Sequence, residues 1–164
     1  RLVAELANRD VAPSYQEGVW TPVFQQTNLL FAGTYQVQLG KYYRIGQWVT
    51  AQFRVKLLTV ESYSKSSLSV ANIPYPIDAD VSDFWYPGTL TRRTGFTPGF
   101  APSAISVRQQ FVGAELSLIR FDDAIGGINI VEGEDISDTG EVNGSVTYRT
   151  TDTTFVPING ASPT

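Results

Sequence analysis

The stretch from Val49 to Leu57 constrains the fold more than any other feature of the sequence. Apolar Val49, Ala51, Phe53, Val55 and Leu57 alternate there with polar Thr50, Gln52, Arg54 and Lys56. Successive side chains of a β-strand point to opposite faces, so the pattern predicts a strand with one buried and one solvated face. Gly46 precedes this strand where the chain has to reverse, and glycine readily adopts the positive φ of a tight turn. Residues 41–58 are therefore predicted to form a long β-hairpin.

Shorter alternating or apolar runs predict further strands. They lie at residues 19–26, 34–39, 68–70, 104–111, 115–121, 127–131 and 144–151. Pro22 makes the first of these an edge or irregular strand, Gly40 is predicted to be a bulge or bend, and Asn143-Gly144 is predicted to be a hairpin turn. About eight or nine short strands with regular turn signals predict an all-β fold, an antiparallel β-sandwich of jelly-roll kind.

The first residues differ in character from the rest. Leu2, Val3 and Leu6 lie among good helix formers, which predicts a short helical stalk or linker end over residues 1–12, followed by a β-sandwich head domain over residues 13–164. One interpretation is a docked or frayed terminus. The other is the end of a coiled-coil stalk, in which three copies pack these side chains about a common axis.

Composition excludes several classes of function. The chain has no His and no Cys, so a Ser-His-Asp triad and the usual zinc and thiol sites are impossible, and we expect no catalytic residue, metal or cofactor. The net charge of −4 argues against nucleic acid as a partner. No apolar run approaches the roughly 20 residues that span a bilayer, so no membrane insertion is expected. A chain that starts at Arg1 and lacks Met is expected to be a fragment of a longer polypeptide.

Several short motifs resemble those of one protein family. They are Gly18, Trp20, Thr21 and Pro22, then Gly40, Tyr42, Ile45, Gly46 and Val49, then Asn72-Ile73-Pro74-Tyr75, and finally the segment from Ser145 to Thr150. This series resembles the C-terminal receptor-binding or trimerisation domains of tailed-bacteriophage tail fibres and tailspikes. The matches span residues 18–150 and are dense only over residues 18–75.

The resemblance implies a function. Such a domain is a homotrimer in the virion, joined to the rest of the tail fibre or tailspike, and it acts outside the bacterial cell by binding a cell-surface carbohydrate during host adsorption. The many Gln and Tyr residues on predicted polar faces, with few charges, also suit burial against another copy of the chain. The alternative for these faces is simple solvation.

The segment 74–102 is the predicted recognition region. It carries many Pro, Gly and aromatic residues, and aromatic rings stack on the apolar faces of sugars while charged side chains reach their hydroxyls. The predicted carbohydrate-binding residues are Asp83, Trp85, Tyr86, Arg92 and Arg93. The alternative is that the aromatic residues close the core or fill a trimer axis.

Two other functions compete with carbohydrate binding. The domain could only trimerise and cap the fibre, with recognition elsewhere in the full-length protein. It could also degrade polysaccharide with a carboxylate pair, for which the candidates are Asp78, Asp80, Asp83, Asp122 and Asp123. The acidic run 132–141 could hold calcium, but it lacks the EF-hand spacing, and acidic runs between strands are usually solvated loops.

Overall fold

Most of the described chain is β-strand. The structure is a computed structural model that describes residues 15–26, 29–62, 65–78, 86–98, 102, 104–110, 113–122 and 127–164. The strands are β1 (Tyr15–Trp20), β2 (Val23–Gln26), β3 (Leu29–Leu30), β4 (Ala32–Ile45), β5 (Trp48–Ser62), β6 (Leu68–Ala71), β7 (Tyr86–Phe96), β8 (Ala104–Gln110), β9 (Gly113–Asp122), β10 (Gly127–Ile130), β11 (Ile136–Arg149) and β12 (Ser162–Pro163). The predicted all-β class is confirmed.

The strands form one continuous antiparallel ladder. Neighbours follow the order β12-β1-β4-β5-β11-β7-β8-β9-β6-β2-β3, and β10 pairs with β9. We call the part formed by β12, β1, β4, β5, β11 and β7 the large half-sheet. The remaining strands, β8, β9, β10, β6, β2 and β3, form the small half-sheet.

The predicted hairpin is confirmed and is the centre of the large half-sheet. β4 and β5 pair from Ala32↔Ser62 to Ile45↔Trp48, and Gly46 in the connecting turn has a φ of 57°. The five apolar residues that alternate along β5 are all buried. One face of β5 therefore belongs to the core, as the alternation predicted.

Two predictions about β4 were wrong. Gly40 is not a bulge, because β4 continues through it in register with Phe53. The register shifts lie earlier, between Thr34 and Val37, and a one-residue shift moves every later side chain to the opposite face. Strict alternation over the predicted strand 34–39 would place Leu39 on the same face as Tyr35, but because of the shift Leu39 is 62% exposed.

Three further differences concern where the chain is interrupted and where it continues as a strand. The predicted strand 19–26 is two strands, β1 and β2, interrupted at Thr21-Pro22, because proline has no N–H for the ladder. Asn143-Gly144 is not a turn but lies inside β11, where the pairing with β7 shifts by one residue. The predicted recognition region 74–102 contains β7, a strand paired on both sides with β11 and β8.

Both half-sheets contribute to one apolar core. The large half-sheet supplies Tyr42, Val49 and Val146, and the small half-sheet supplies Phe24 and Leu116, all of which are buried in the same cluster. The ladder therefore folds back on itself in a sandwich-like arrangement, which leaves the other face of the large half-sheet exposed. We call that exposed face the outer face; its central residues are Lys41 on β4, Gln52 on β5 and Ser145 on β11.

Two predictions concern membrane spans and the N-terminus. The predicted helical segment over residues 1–12 lies outside the described residues. Within the part of the chain that the structure describes, no helix has the length and apolar character needed to cross a bilayer.

Candidate functional site

The structure describes three of the five predicted carbohydrate-binding residues, and these three do not lie together. Asp83 and Trp85 lie outside the described residues, whereas Tyr86, Arg92 and Arg93 all belong to β7. Tyr86 is half-buried and packs its ring edge to face with Trp48, at a centroid distance of 6.3 Å. Because a strand advances about 3.3 Å per residue, Arg92 lies roughly 20 Å from Tyr86 along β7. The described members of the set therefore lie far apart along one strand, with Tyr86 at its start and the two arginines beyond its middle.

A groove crosses the outer face instead. Its volume is about 650 Å³, and it runs across the strands from β1 to β7. The cross-strand register places Lys41 beside Gln52, Gln52 beside Ser145, and Arg54 beside Asn143. Its described lining is Val19, Trp20, Thr21, Gln38, Leu39, Gly40, Lys41, Gln52, Phe53, Arg54, Thr91, Asn143, Gly144, Ser145 and Gly160.

The floor of this groove is held by Trp20. A Cβ added at Gly40 would lie 2.5 Å from the indole nitrogen, so the ring can lie against the β4 backbone only because residue 40 has no side chain. The Trp20 indole N–H donates to the carbonyl oxygens of Lys41 and Gln52, at 3.2 Å each. These bonds tie β4 and β5 together directly beneath the groove, which makes its floor rigid.

Gly144 forms the other close approach in the floor. A Cβ there would lie 2.6 Å from the carbonyl oxygen of Thr89 on β7. Glycine therefore allows the shifted pairing between β11 and β7. Next to Gly144, the side-chain amide of Asn143 donates a hydrogen bond of 3.3 Å to the Glu141 carboxylate when its nitrogen is oriented toward that group.

A buried carboxylate organises the charges beside the groove. The side chain of Glu141 is 1% exposed, and Arg54 Nε lies 2.8 Å from its Oε1. Arg92 Nε lies 3.6 Å from the second oxygen. Two guanidinium groups thus share one carboxylate, and the trio keeps one net positive charge. Arg54 is held in position by this contact while 41% of its side chain remains exposed.

Hydroxyl groups continue the polar surface from Ser145 in the groove to the neighbouring parts of β5, β11 and β7. Thr50 and Thr147 share a hydrogen bond of 2.8 Å between their hydroxyl oxygens, and Thr89 and Ser145 share one of 3.0 Å. These cross-strand pairs join β5 to β11 and β11 to β7. The outer face is therefore a fixed array of donors and acceptors.

One end of the outer face is apolar. Tyr15, Ile45 and Trp48 lie side by side on β1, β4 and β5 and are 54%, 64% and 53% exposed. We call these three residues the apolar end. They lie at the tip of the β4–β5 hairpin, away from the groove. Exposed apolar side chains that adjoin one another mark contact surfaces more often than isolated ones do.

The carboxylate candidates do not form a catalytic pair in the described residues. Asp78 is buried, and its Oδ2 lies 3.5 Å from Arg149 Nε. Asp80, Asp83 and Asp123 lie outside the described residues, and the side chain of Asp122 is not described.

The acidic run 132–141 is not a solvated loop. It forms a short 3-10 helix, Gly133–Asp135, and the first part of β11. Asp135 accepts the backbone N–H of Glu132 at 3.0 Å. Among the residues described, no three His, Cys, Asp or Glu side chains come close enough together to hold a metal ion.

Sequence reasoning missed the groove because its residues look unremarkable in the chain. Gln52 and Arg54 were correctly predicted to face solvent, and the predicted hairpin brings Lys41 near Gln52, but nothing local indicated that Ser145 would flank Gln52 on the other side. The signal that could have found the groove is the pairing of β5 with β11, which joins residues about 90 positions apart.

Most motif residues that carry the family resemblance have structural roles. Trp20 and Gly40 form the contact described above, Tyr42 and Val49 are buried, and Gly46 makes the turn. These motifs therefore account for the architecture and say little about a ligand. The chain matches no family model, no curated protein and no solved structure.

Proposed function

We propose that this chain is the head domain of a trimeric bacteriophage tail fibre or tailspike and that it binds a bacterial cell-surface carbohydrate in the outer-face groove. The domain is a jelly-roll-like sandwich that belongs to the virion and acts outside the host cell during adsorption. The observation that carries the binding part of the proposal is the groove itself, with its rigid floor and its exposed polar side chains.

The chemistry of the groove suits a sugar. Sugar hydroxyls need both donors and acceptors, and the amides of Gln52 and Gln38 and the hydroxyl of Ser145 offer both. The hydroxyl of Thr91 donates to the carbonyl oxygen of Asn143 and therefore offers an acceptor. Val19 and Leu39 add apolar surface at the side of the groove, against which the C–H groups of a sugar ring can pack. A groove open to solvent also accommodates an internal stretch of a long polymer.

Three copies compensate for a weak single site. A solvent-exposed groove that is lined with polar groups binds one chain segment modestly, because much of the hydrogen bonding replaces water. Identical sites on one rigid trimer raise the overall avidity through effective concentration, provided that all three reach the cell surface together. The apolar end supplies a contact surface for the other copies, since it exposes Tyr15, Ile45 and Trp48 side by side.

The apolar end also favours one alternative. The domain could serve only to trimerise and cap the fibre, with the glycan bound elsewhere in the full-length protein. The two functions make different demands on the groove, because a cap does not need Gln52 to contact a ligand.

An array of bacterial capsular and lipopolysaccharide glycans tests the proposal. We expect the chain to bind members of the array and the Gln52→Ala variant to bind them about fivefold more weakly, because the loss of one good hydrogen bond costs about 1 kcal/mol. Gln36→Ala is the matched control, since Gln36 is an exposed residue of β4 outside the groove lining.

The results separate the two functions. If Gln52→Ala and Gln36→Ala weaken glycan binding equally, the binding site does not lie in the groove. If the chain still trimerises but binds no glycan of the array, the capping function is favoured instead.

A further inference from the structure

The charges of this protein are distributed unevenly around the groove. The whole chain carries 12 basic and 16 acidic residues. The described lining of the groove nevertheless includes Lys41 and Arg54 and no Asp or Glu. An acidic protein thus has a basic groove on one face.

The nearest carboxylate does not cancel this charge. The side chain of Glu141 is only 1% exposed, and it forms ion pairs with both Arg54 and Arg92. Lys41 is exposed and forms no ion pair with any residue that the structure describes. Among the described residues, the groove therefore presents one ammonium group without an ion pair and one guanidinium whose single charge partner is buried.

Arg54 is prepared for an anionic group. Its Nε is engaged by Glu141, which fixes the plane of the guanidinium, while the exposed part of the side chain lies in the groove. A positioned guanidinium loses little conformational freedom when it binds a second carboxylate, and charge-assisted hydrogen bonds are about twice as strong as neutral ones.

We infer that the groove selects an acidic glycan, one whose repeating unit carries a carboxylate that contacts Lys41 and Arg54. This inference rests on the proposed function and adds the chemical class of its ligand. The carboxylate occupies the side of the groove where β4 and β5 carry these two cations. The neutral hydroxyls of the polymer contact Gln52, Asn143 and Ser145.

Nucleic acid fits the same groove less well. Single strands bind through a track of cations together with aromatic rings on which bases stack. The aromatic residues of the groove lining, Trp20 and Phe53, are only 3% and 5% exposed. Two cations without a stacking surface match an occasional carboxylate better than a continuous phosphate backbone.

Chemical reduction of the ligand's carboxyl groups tests the inference. The array described above is probed with the chain, and the strongest acidic binders are then reduced, which converts each uronate to the neutral sugar without altering the rest of the polymer. We expect affinity to fall about tenfold on reduction, because one charge-assisted contact with two cations is lost. Lys41→Gln should weaken binding to the intact glycan about fivefold and should not change binding to the reduced one.

Lys65→Gln is the matched control. Lys65 is 80% exposed, lies outside the groove lining, and its replacement changes the net charge by the same amount. If overall charge alone mattered, the two variants would weaken binding equally, and that result would overturn the inference.

The remaining outcomes separate this inference from the proposed function. Strongest binding to neutral glycans, or no effect of reduction, overturns the acidic ligand and leaves carbohydrate binding intact. Binding to no glycan overturns the proposed function together with the inference. Tighter binding to a single-stranded oligonucleotide than to any glycan, weakened by Lys41→Gln, replaces the acidic glycan by nucleic acid.

Discussion

Arg44 is the most deeply buried cation among the described residues, with 1% of its side chain exposed. Its guanidinium carbon lies 3.8 Å from the ring centre of Phe155 and 4.4 Å from that of Tyr75. It forms an ion pair with Asp152 and donates to the carbonyl oxygen of Gly46 at 2.8 Å. Arg44 therefore joins the turn of the central hairpin to the C-terminal segment through charge, ring faces and a hydrogen bond.

Asp152 gives this contact a pH dependence. Burial alone would raise the pKa of its carboxyl group, but hydrogen bonds from Thr154, Arg44 and the backbone of Phe155 outweigh burial and lower the pKa below its ordinary value of 3.8. A carboxylate whose pKa is lowered in the folded state stabilises the fold above its unfolded-state pKa. That stabilisation is lost as the pH falls through the folded-state value.

Replacement of Asp152 by Asn tests this account at the residue scale. At pH 7 we expect the free energy of unfolding to fall by about 3 kcal/mol, because the buried Arg44 loses its counter-charge. The difference between the variant and the original chain should shrink as the pH falls from about 4, near the ordinary pKa of an Asp carboxyl group, through the lower folded-state pKa of Asp152, below which the original chain has lost this charge as well. Urea denaturation over a series of pH values measures both effects.

Glu61→Gln is the control for acid sensitivity. Glu61 is exposed and forms no ion pair with a described residue. The account of Asp152 fails if the Asp152→Asn variant keeps the same deficit at low pH, because the contribution would then not come from the charged carboxylate.

At the scale of single elements, glycines were harder to interpret than the alternation of apolar residues. Both Gly40 and the dipeptide Asn143-Gly144 carry signals that usually mean a bend or a turn, and both lie inside long strands. What decides their placement is contact with distant residues: Trp20 lies against Gly40, and the Thr89 carbonyl lies against Gly144. A local pattern cannot contain that information.

The contact between Trp20 and Gly40 can be tested by adding one methyl group. We expect Gly40→Ala to lower the free energy of unfolding by about 2 kcal/mol, because the indole ring has to move and its two hydrogen bonds between β4 and β5 are strained. Chemical denaturation followed by tryptophan fluorescence measures the change. The neighbouring Leu39→Ala, at a residue that is 62% exposed, should stay within about 0.5 kcal/mol of the original. An equal effect of the two changes would contradict the packing described for Trp20.

At the scale of the whole molecule, the fold class followed from the sequence and the site did not. The buried face of β5 was readable because alternation is a local property, whereas the short strand β6 is buried on both faces and shows no such pattern. The groove depends on the register between β4, β5 and β11, and register is set by the core and by the irregular pairing of β4 near residue 35. The segment around Trp85 was predicted to bind carbohydrate because it is rich in aromatic residues. Of the predicted residues that the structure describes, Tyr86 and Arg92 lie far apart on one strand.

The assembly is the second property that belongs to this scale. We expect light scattering coupled to size exclusion to give a mass three times the 18.0 kDa of the chain. Ile45→Asp should shift the mass toward that of one chain, because the substitution places a charge in the apolar end, where the copies are proposed to meet.

Val156→Asp is the matched control for assembly. Val156 is 63% exposed, close to the 64% of Ile45, but lies in the C-terminal segment away from the apolar end. If the trimer survives Ile45→Asp, the subunit contact lies elsewhere on the chain. If the original chain is a monomer, no subunit contact is needed and the proposed trimer is wrong.

The most direct test of the groove as the binding site is to map the chemical shifts of backbone amides on titration with the best glycan of the array. The account predicts the largest changes at residues 39–41, 52–54 and 143–145, which lie on three neighbouring strands around the groove. Largest changes at Tyr86 and its neighbours in sequence, or on the small half-sheet, would contradict it.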